Sequence, residues 1–119
     1  MKRAVIEEIG GFDERFSPWG FEDDDFTLRA SLAGHHSRVA LDVFVHHDTY
    51  AGPKHARHQR LLLRNWKRFA EKFGLGDVPY GDLSGMERVV ARSWSREELL
   101  VPFERTAPED QPELPGLVA

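Results

Sequence analysis

The sequence predicts an α+β fold built from about three helices and one or two strands. Three observations carry that reading. Residues 54–73 place Leu62, Trp66, Phe69 and Phe73 four, three and four positions apart, a helical stripe opposite a basic face. Residues 38–46 alternate, with Val39, Leu41, Val43 and Val45 on one side and Arg38, Ala40, Asp42 and Phe44 on the other, which is the period of a strand. Gly10-Gly11, Gly34 and Gly74 stand where the predicted elements end.

Taken in order, residues 2–9 read as a short helix with Val5, Ile6 and Ile9 on one face, stopped by Gly10-Gly11. Residues 12–20 form a loop containing Ser17-Pro18 and Gly20. A second helix covers 22–33. Its first turn, Glu22-Asp23-Asp24-Asp25, suits the positive end of the helix dipole, and Gly34 fits the position just past its end. The strand at 38–46 ends in His46-His47, and the long helix follows. Residues 86–100 have room for one more helix, with Ser95 as a cap for 96–100. Pro102, Pro108, Pro112 and Pro115 interrupt the remainder, which reads as a flexible acidic tail. The segments are therefore 1–76, a helical extension at 77–101, and the tail at 102–119.

Composition narrows the function classes. The chain has 119 residues and a net charge of -4, with no global basicity to suggest nucleic acid. It has no cysteine, which excludes disulfides and Cys-based zinc sites. No apolar run approaches the ~20 residues of a membrane span, and Lys2, Arg3, Glu7 and Glu8 sit where a signal peptide needs apolar residues. We read a soluble, cytoplasmic chain. Charge is uneven: Lys54, Arg57, Arg60, Arg64, Lys67, Arg68 and Lys72 crowd the long helix, whereas 22–25 and the tail are acidic.

Four features occur in fixed order: Gly10 to Phe16 (GGFDERF), Trp19 to Arg29 (WGFEDDDFTLR), the strand closing on His46-His47, and a helix carrying Asn65, Phe69, Lys72, Phe73 and Gly74. The series resembles family 2 glycosyltransferases of the GT-A fold, over residues 1–74. The resemblance implies the acceptor-side, C-terminal part of a GT-A domain without the nucleotide-binding half. It implies a sugar passing with inversion from a nucleotide-diphosphate donor to a hydroxyl acceptor, aided by a divalent metal, manganese or magnesium. Asp23-Asp24-Asp25 matches the helix-start motif, not the D-x-D motif of the donor metal, and the Gln-x-x-Arg-Trp motif of processive members is missing.

On that resemblance Asp23 is the base that takes the acceptor proton, and Glu22 is its neighbour in the catalytic motif. Trp19, Gly20 and Phe21 shape the acceptor site. One of His46 and His47 ligates the diphosphate-bound metal, and Lys54 and Arg57 contact the diphosphate. The acids also have a simpler use, since each complements the helix dipole by about 0.3–1 kcal/mol. Asp25 reads as structural, with Arg29 four residues on as its ion-pair partner. The chain alone is expected to be inactive, to hold no metal tightly, and to self-associate or pair with a missing N-terminal half through the open edge of the strand. Two other classes fit the residues: a binding module using the basic helix or acidic tail, and a metal-dependent hydrolase built on the His pairs and Asp23. The hydrolase lacks any H-E-x-x-H spacing.

Overall fold

The computed structural model describes residues 1–47 and 55–103. The elements in chain order are α1 (Arg3–Ile9), a 3-10 turn (Glu14–Phe16), α2 (Glu22–Leu32), α3 (His55–Lys72), α4 (Met86–Ala91) and α5 (Arg96–Leu99). No strand occurs among the described residues; their only β pairing is an isolated parallel bridge between Gly10 and Val101. The fold is thus helical, and the α+β expectation is overturned.

The failed element is the segment at 38–46. It has the alternating pattern of a strand, but among the described residues no second strand lies beside it. A strand's backbone groups are satisfied by a neighbour, so the pattern alone cannot form one. Its apolar side chains consequently stand in water: Leu41 is 93% and Phe44 90% exposed. Val39, Val43 and Val45 are exposed with them. No helix among the described residues is long and apolar enough to cross a membrane.

The helices end as their sequences dictate. At the end of α2, the His35 N–H reaches the Ala30 carbonyl at 2.9 Å and the Gly34 N–H reaches Ser31 at 3.0 Å. At the end of α3, Leu75 bonds back to Ala70 at 2.8 Å and Gly74 to Glu71 at 3.2 Å. Both are the paired hydrogen bonds of a Schellman cap, and Leu75 is buried against the core in the second. The predicted helix at 86–100 divides in two. Arg92 turns extended, and Trp94 donates its indole N–H to the Val89 carbonyl at 2.8 Å. α5 then restarts behind a reciprocal capping box between Ser95 and Glu98.

Two apolar clusters flank α2. On one side Phe26 and Ala30 pack with Ile9 of α1. On the other, Leu28 and Leu32 meet the larger core of Phe16, Trp66, Phe69, Phe73 and Val89. Residues of the 77–101 extension enter this packing through Val78, Met86, Val89 and Trp94. The chain closes on itself at Gly10, where Val101 donates to Ile9 and accepts from Gly11. Gly10 has φ +77°, and a Cβ there would sit 1.5 Å from the Val101 carbonyl oxygen, so no larger residue fits.

Between the clusters runs a buried polar chain. Arg29 is fully buried; its Nε donates to Asp25 at 2.8 Å and its two terminal nitrogens donate to the carbonyls of Ile9 (2.6 Å), Leu99 (3.2 Å) and Gly11 (2.6 Å). The Lys72 ammonium lies 2.5 Å from the other Asp25 oxygen, in ionic contact but not aligned for a hydrogen bond, and 2.8 Å from Asp13. Burial by itself would raise the Asp13 carboxyl. The side-chain hydrogen bonds from Arg15 and Lys72 outweigh it and hold the group well below the ordinary carboxylate range. The expectation that Asp25 pairs with Arg29 is met, inside the protein and not on a surface.

Arg29→Ala should therefore cost about 3–5 kcal/mol in urea unfolding, because it leaves the buried Asp25 carboxylate short of a partner and the Gly11 and Leu99 carbonyls without the donor they use. The exposed pair Arg3–Glu7 provides the control, with a change below about 1 kcal/mol for Arg3→Ala. The Asp13 shift sets a pH dependence. Its stabilisation is complete above the ordinary aspartate pKa of about 3.9 and is lost as pH falls below that value toward the depressed folded-state value. Urea midpoints measured from pH 5 to 2 should fall steeply in the parent. In Asp13→Asn they should start lower and fall less steeply.

Candidate functional site

The loop before α2 hangs from α3 by its carbonyls. Asn65, fully buried, directs its side-chain N–H groups at the carbonyls of Phe16 (2.7 Å), Gly20 (2.9 Å) and Trp19 (3.0 Å). Arg64 donates to the Ser17 carbonyl at 2.5 Å, and Arg68 donates to that of Arg15. These clamps fix where α2 begins. Gly20 has φ +99°, and a Cβ there would lie 3.2 Å from Leu62 Cδ2. Phe21 is also left-handed, at φ 73°. A bulky residue there carries strain of about 1–3 kcal/mol. Its ring is held in place by Phe69 at 5.6 Å, Trp66 at 5.7 Å and Tyr80 at 6.1 Å.

This entry aims the four acids in different directions. Glu22 turns back and accepts the Gly20 N–H, closing the turn in place of a conventional cap. Asp25 points into the protein. Asp23 and Asp24 stay at the surface, where the Asp24 N–H donates to the Asp23 carboxylate at 3.0 Å. Both line a groove of about 620 Å³. Asp24, Thr27, Leu28 and Ser31 make one wall, at the i, i+3, i+4, i+7 spacing of a helical face. Phe21, Trp66 and Tyr80 supply aromatic surface to the same groove. Loss of surrounding water raises the Asp24 carboxyl above its ordinary range, and the charges of Asp23 and Glu22 push it the same way. The site thus offers paired carboxylates beside an aromatic surface, which can bind a hydroxylated molecule and take up a proton from it.

The other expected residues are placed elsewhere. Trp19 does not line the groove; its ring meets His58 edge-on at 4.6 Å. Gly20 is buried beneath the loop, and Phe21 alone of the three expected acceptor contacts faces the groove. His46 and His47 are exposed at the end of the segment expected to be a strand. Arg57 is exposed on the first turns of α3, and Lys54 lies outside the described residues. No three His, Asp or Glu side chains gather to hold a metal ion among the described residues. His46 and His47 do not by themselves make such a site, because a hard divalent ion requires several oxygen ligands at once. A second hollow, of about 650 Å³, is lined by Arg15, Arg64, Arg68 and Lys72, but these cations already serve Asp13, Asp25 and loop carbonyls.

Asp24, Trp66 and Tyr80 were not singled out as site residues by the sequence. Asp24 was legible in principle, since it begins the stripe 24, 27, 28, 31. Tyr80 carried no such signal, because a loop contact joins it to Phe21 and Trp66.

Residues 1–59 match the family model described as the N-terminal domain of galactosyltransferase. The match supports a glycosyltransferase domain. It spans α1, the clamped loop, α2 and the start of α3, and so includes both groove carboxylates. It does not extend to a family 2 assignment or to a C-terminal GT-A segment. No curated protein and no solved structure matches the chain.

Gly20→Ala tests the clamped loop directly. It should destabilise the fold by about 1 kcal/mol or more, since alanine at positive φ is strained and its methyl group crowds Leu62. Urea unfolding measures the cost, and the indole N–H resonance of Trp66 should shift as Phe21 moves on its ring.

Proposed function

We propose that this domain forms the acceptor side of a glycosyltransferase that moves a sugar from a nucleotide-diphosphate donor to a hydroxyl. Asp23 is the general base. The acceptor hydroxyl lies in the groove and gives its proton to the Asp23 carboxylate as its oxygen bonds to the anomeric carbon. The bond to the diphosphate breaks on the opposite face, so the configuration inverts. The observation that carries this reading is the pair of exposed carboxylates at the rim of an aromatic groove, within the residues that match a galactosyltransferase domain.

The remaining roles belong to the same proposal. Glu22 positions the base by holding the turn at Gly20, so it acts through Asp23 without touching the acceptor. Asp24, with its raised carboxyl, is suited to hydrogen-bond a second acceptor hydroxyl. A divalent metal enters as the companion of the donor diphosphate, with His46 or His47 contributing one ligand at most. Lys54 and Arg57 fit the diphosphate by charge alone. The exposed apolar residues at 39–45 support cover by a donor-binding half or by a second copy of the chain, and without the donor-binding half we expect no transfer.

Asp23→Asn, in a preparation with a donor-binding domain and competent for transfer, should lower turnover by about 10²–10⁴-fold and leave donor affinity within about twofold. Steady-state rates and donor titration measure the two. Turnover above about a tenth of the parent rate excludes Asp23 as the base, because a general base contributes more than that.

A further inference from the structure

Apart from α2 and Phe21 before it, the groove is lined by residues that lie outside those matching the transferase family, from α3 and from the segment after it. That segment, residues 78–86, is fastened to α3 where Trp66 donates its indole N–H to the Val78 carbonyl at 3.1 Å. Two turns follow: Asp82 bonds back to Pro79 at 3.0 Å and Met86 to Leu83 at 2.9 Å. The Asp82 carboxylate accepts the Ser84 N–H at 2.9 Å. The segment is therefore anchored, yet it leaves Tyr80 52% and Leu83 54% exposed. The Tyr80 ring meets Trp66 edge-on at 5.9 Å and continues the aromatic surface begun by Phe21. Leu83 and Met86 extend it with aliphatic surface.

The two walls have opposite character. One carries Asp23, Asp24, Thr27 and Ser31; the other is apolar, and no lysine or arginine lines the groove. An anionic ligand would meet two carboxylates with no compensating cation. A ligand polar on every side would leave the Tyr80–Leu83 surface in water, where apolar area in a concave wall is costly. Resting on the acceptor reading above, we infer that the acceptor is an uncharged, amphipathic hydroxyl compound, a sugar carrying an aromatic or alkyl aglycone. The sugar hydroxyls lie against Asp23 and Asp24, and the aglycone lies on Tyr80, Leu83 and Met86. Residues 78–86 thereby select the aglycone, and the matched family region handles the sugar.

The test is binding to the full chain without donor, read from the Trp66 indole N–H in a nitrogen-15 spectrum. The signal is identified by elimination with Trp19→Phe and Trp94→Phe. The probes are the phenyl glycosides of glucose, galactose and N-acetylglucosamine, the three free sugars, and phenyl glucuronide. At least one phenyl glycoside should shift the signal saturably and bind about tenfold more tightly than its free sugar, as expected for one buried ring. Phenyl glucuronide should bind more weakly than phenyl glucoside. Tyr80→Ala and Leu83→Ala should each reduce the advantage of the phenyl group and leave the free sugars unaffected. The inference is overturned if no phenyl glycoside gives a saturable shift, if the free sugars bind as tightly, if the advantage survives both substitutions, or if the glucuronide binds as well as the glucoside. No transfer step enters these measurements, so they fail or succeed independently of whether Asp23 proves to be the base.

Discussion

The buried guanidinium of Arg29 is the point on which the rest of the structure depends. A charge taken wholly out of water is tolerated only when it is paired and its donors are used. Arg29 meets both conditions by drawing together pieces that are far apart in sequence. It takes Asp25 from its own helix, the carbonyls of Ile9 and Gly11 from the first turn of the chain, and that of Leu99 from α5. Lys72 extends the network from the end of α3 to Asp25 and Asp13. Four helices are thereby held to one another through charged and polar groups. The two small apolar clusters on either side of α2 have only to fill the space around them.

That network also explains the division of labour within the acidic run. One turn of helix separates carboxylates that hold the protein together from carboxylates available to a ligand. Asp25 is committed to Arg29 and Lys72 because it faces inward. Asp23 and Asp24 face the groove because the α2 entry is turned by two consecutive left-handed residues, Gly20 and Phe21. The position of the groove carboxylates is therefore set from below, by the ion pairs, and from behind, by Asn65, Arg64 and Arg68 on the loop carbonyls. Much of the polar chemistry in GGFDERF and in the long helix is scaffold: Asp13, Arg15, Asn65 and Lys72 touch one another or the backbone.

The segment at 38–46 has the opposite status. It bears a clear pattern and makes no corresponding structure among the described residues. Helices satisfy their own backbone groups, so α1, α2 and α3 form wherever a face can be buried. A strand depends on a neighbour for the same groups. Leu41 and Phe44 are accordingly left exposed by the described part of this chain.

By itself, the sequence determined the three principal helices, their glycine ends, the Ser95 cap and the pairing of Asp25 with Arg29. Each of these depends on residues within about one or two turns of one another, where spacing fixes geometry. Its motifs also pointed to a glycosyltransferase, as the match over 1–59 supports. Only the tertiary structure decided that 38–46 is not a strand among these residues, since pairing is a property of two segments. Only it decided that Trp19 turns to His58 and that Tyr80 and Leu83 come round to face Asp23 and Asp24 across a groove. Contacts between residues so far apart in sequence leave no periodicity to read; they are fixed by the folding of one helix against another.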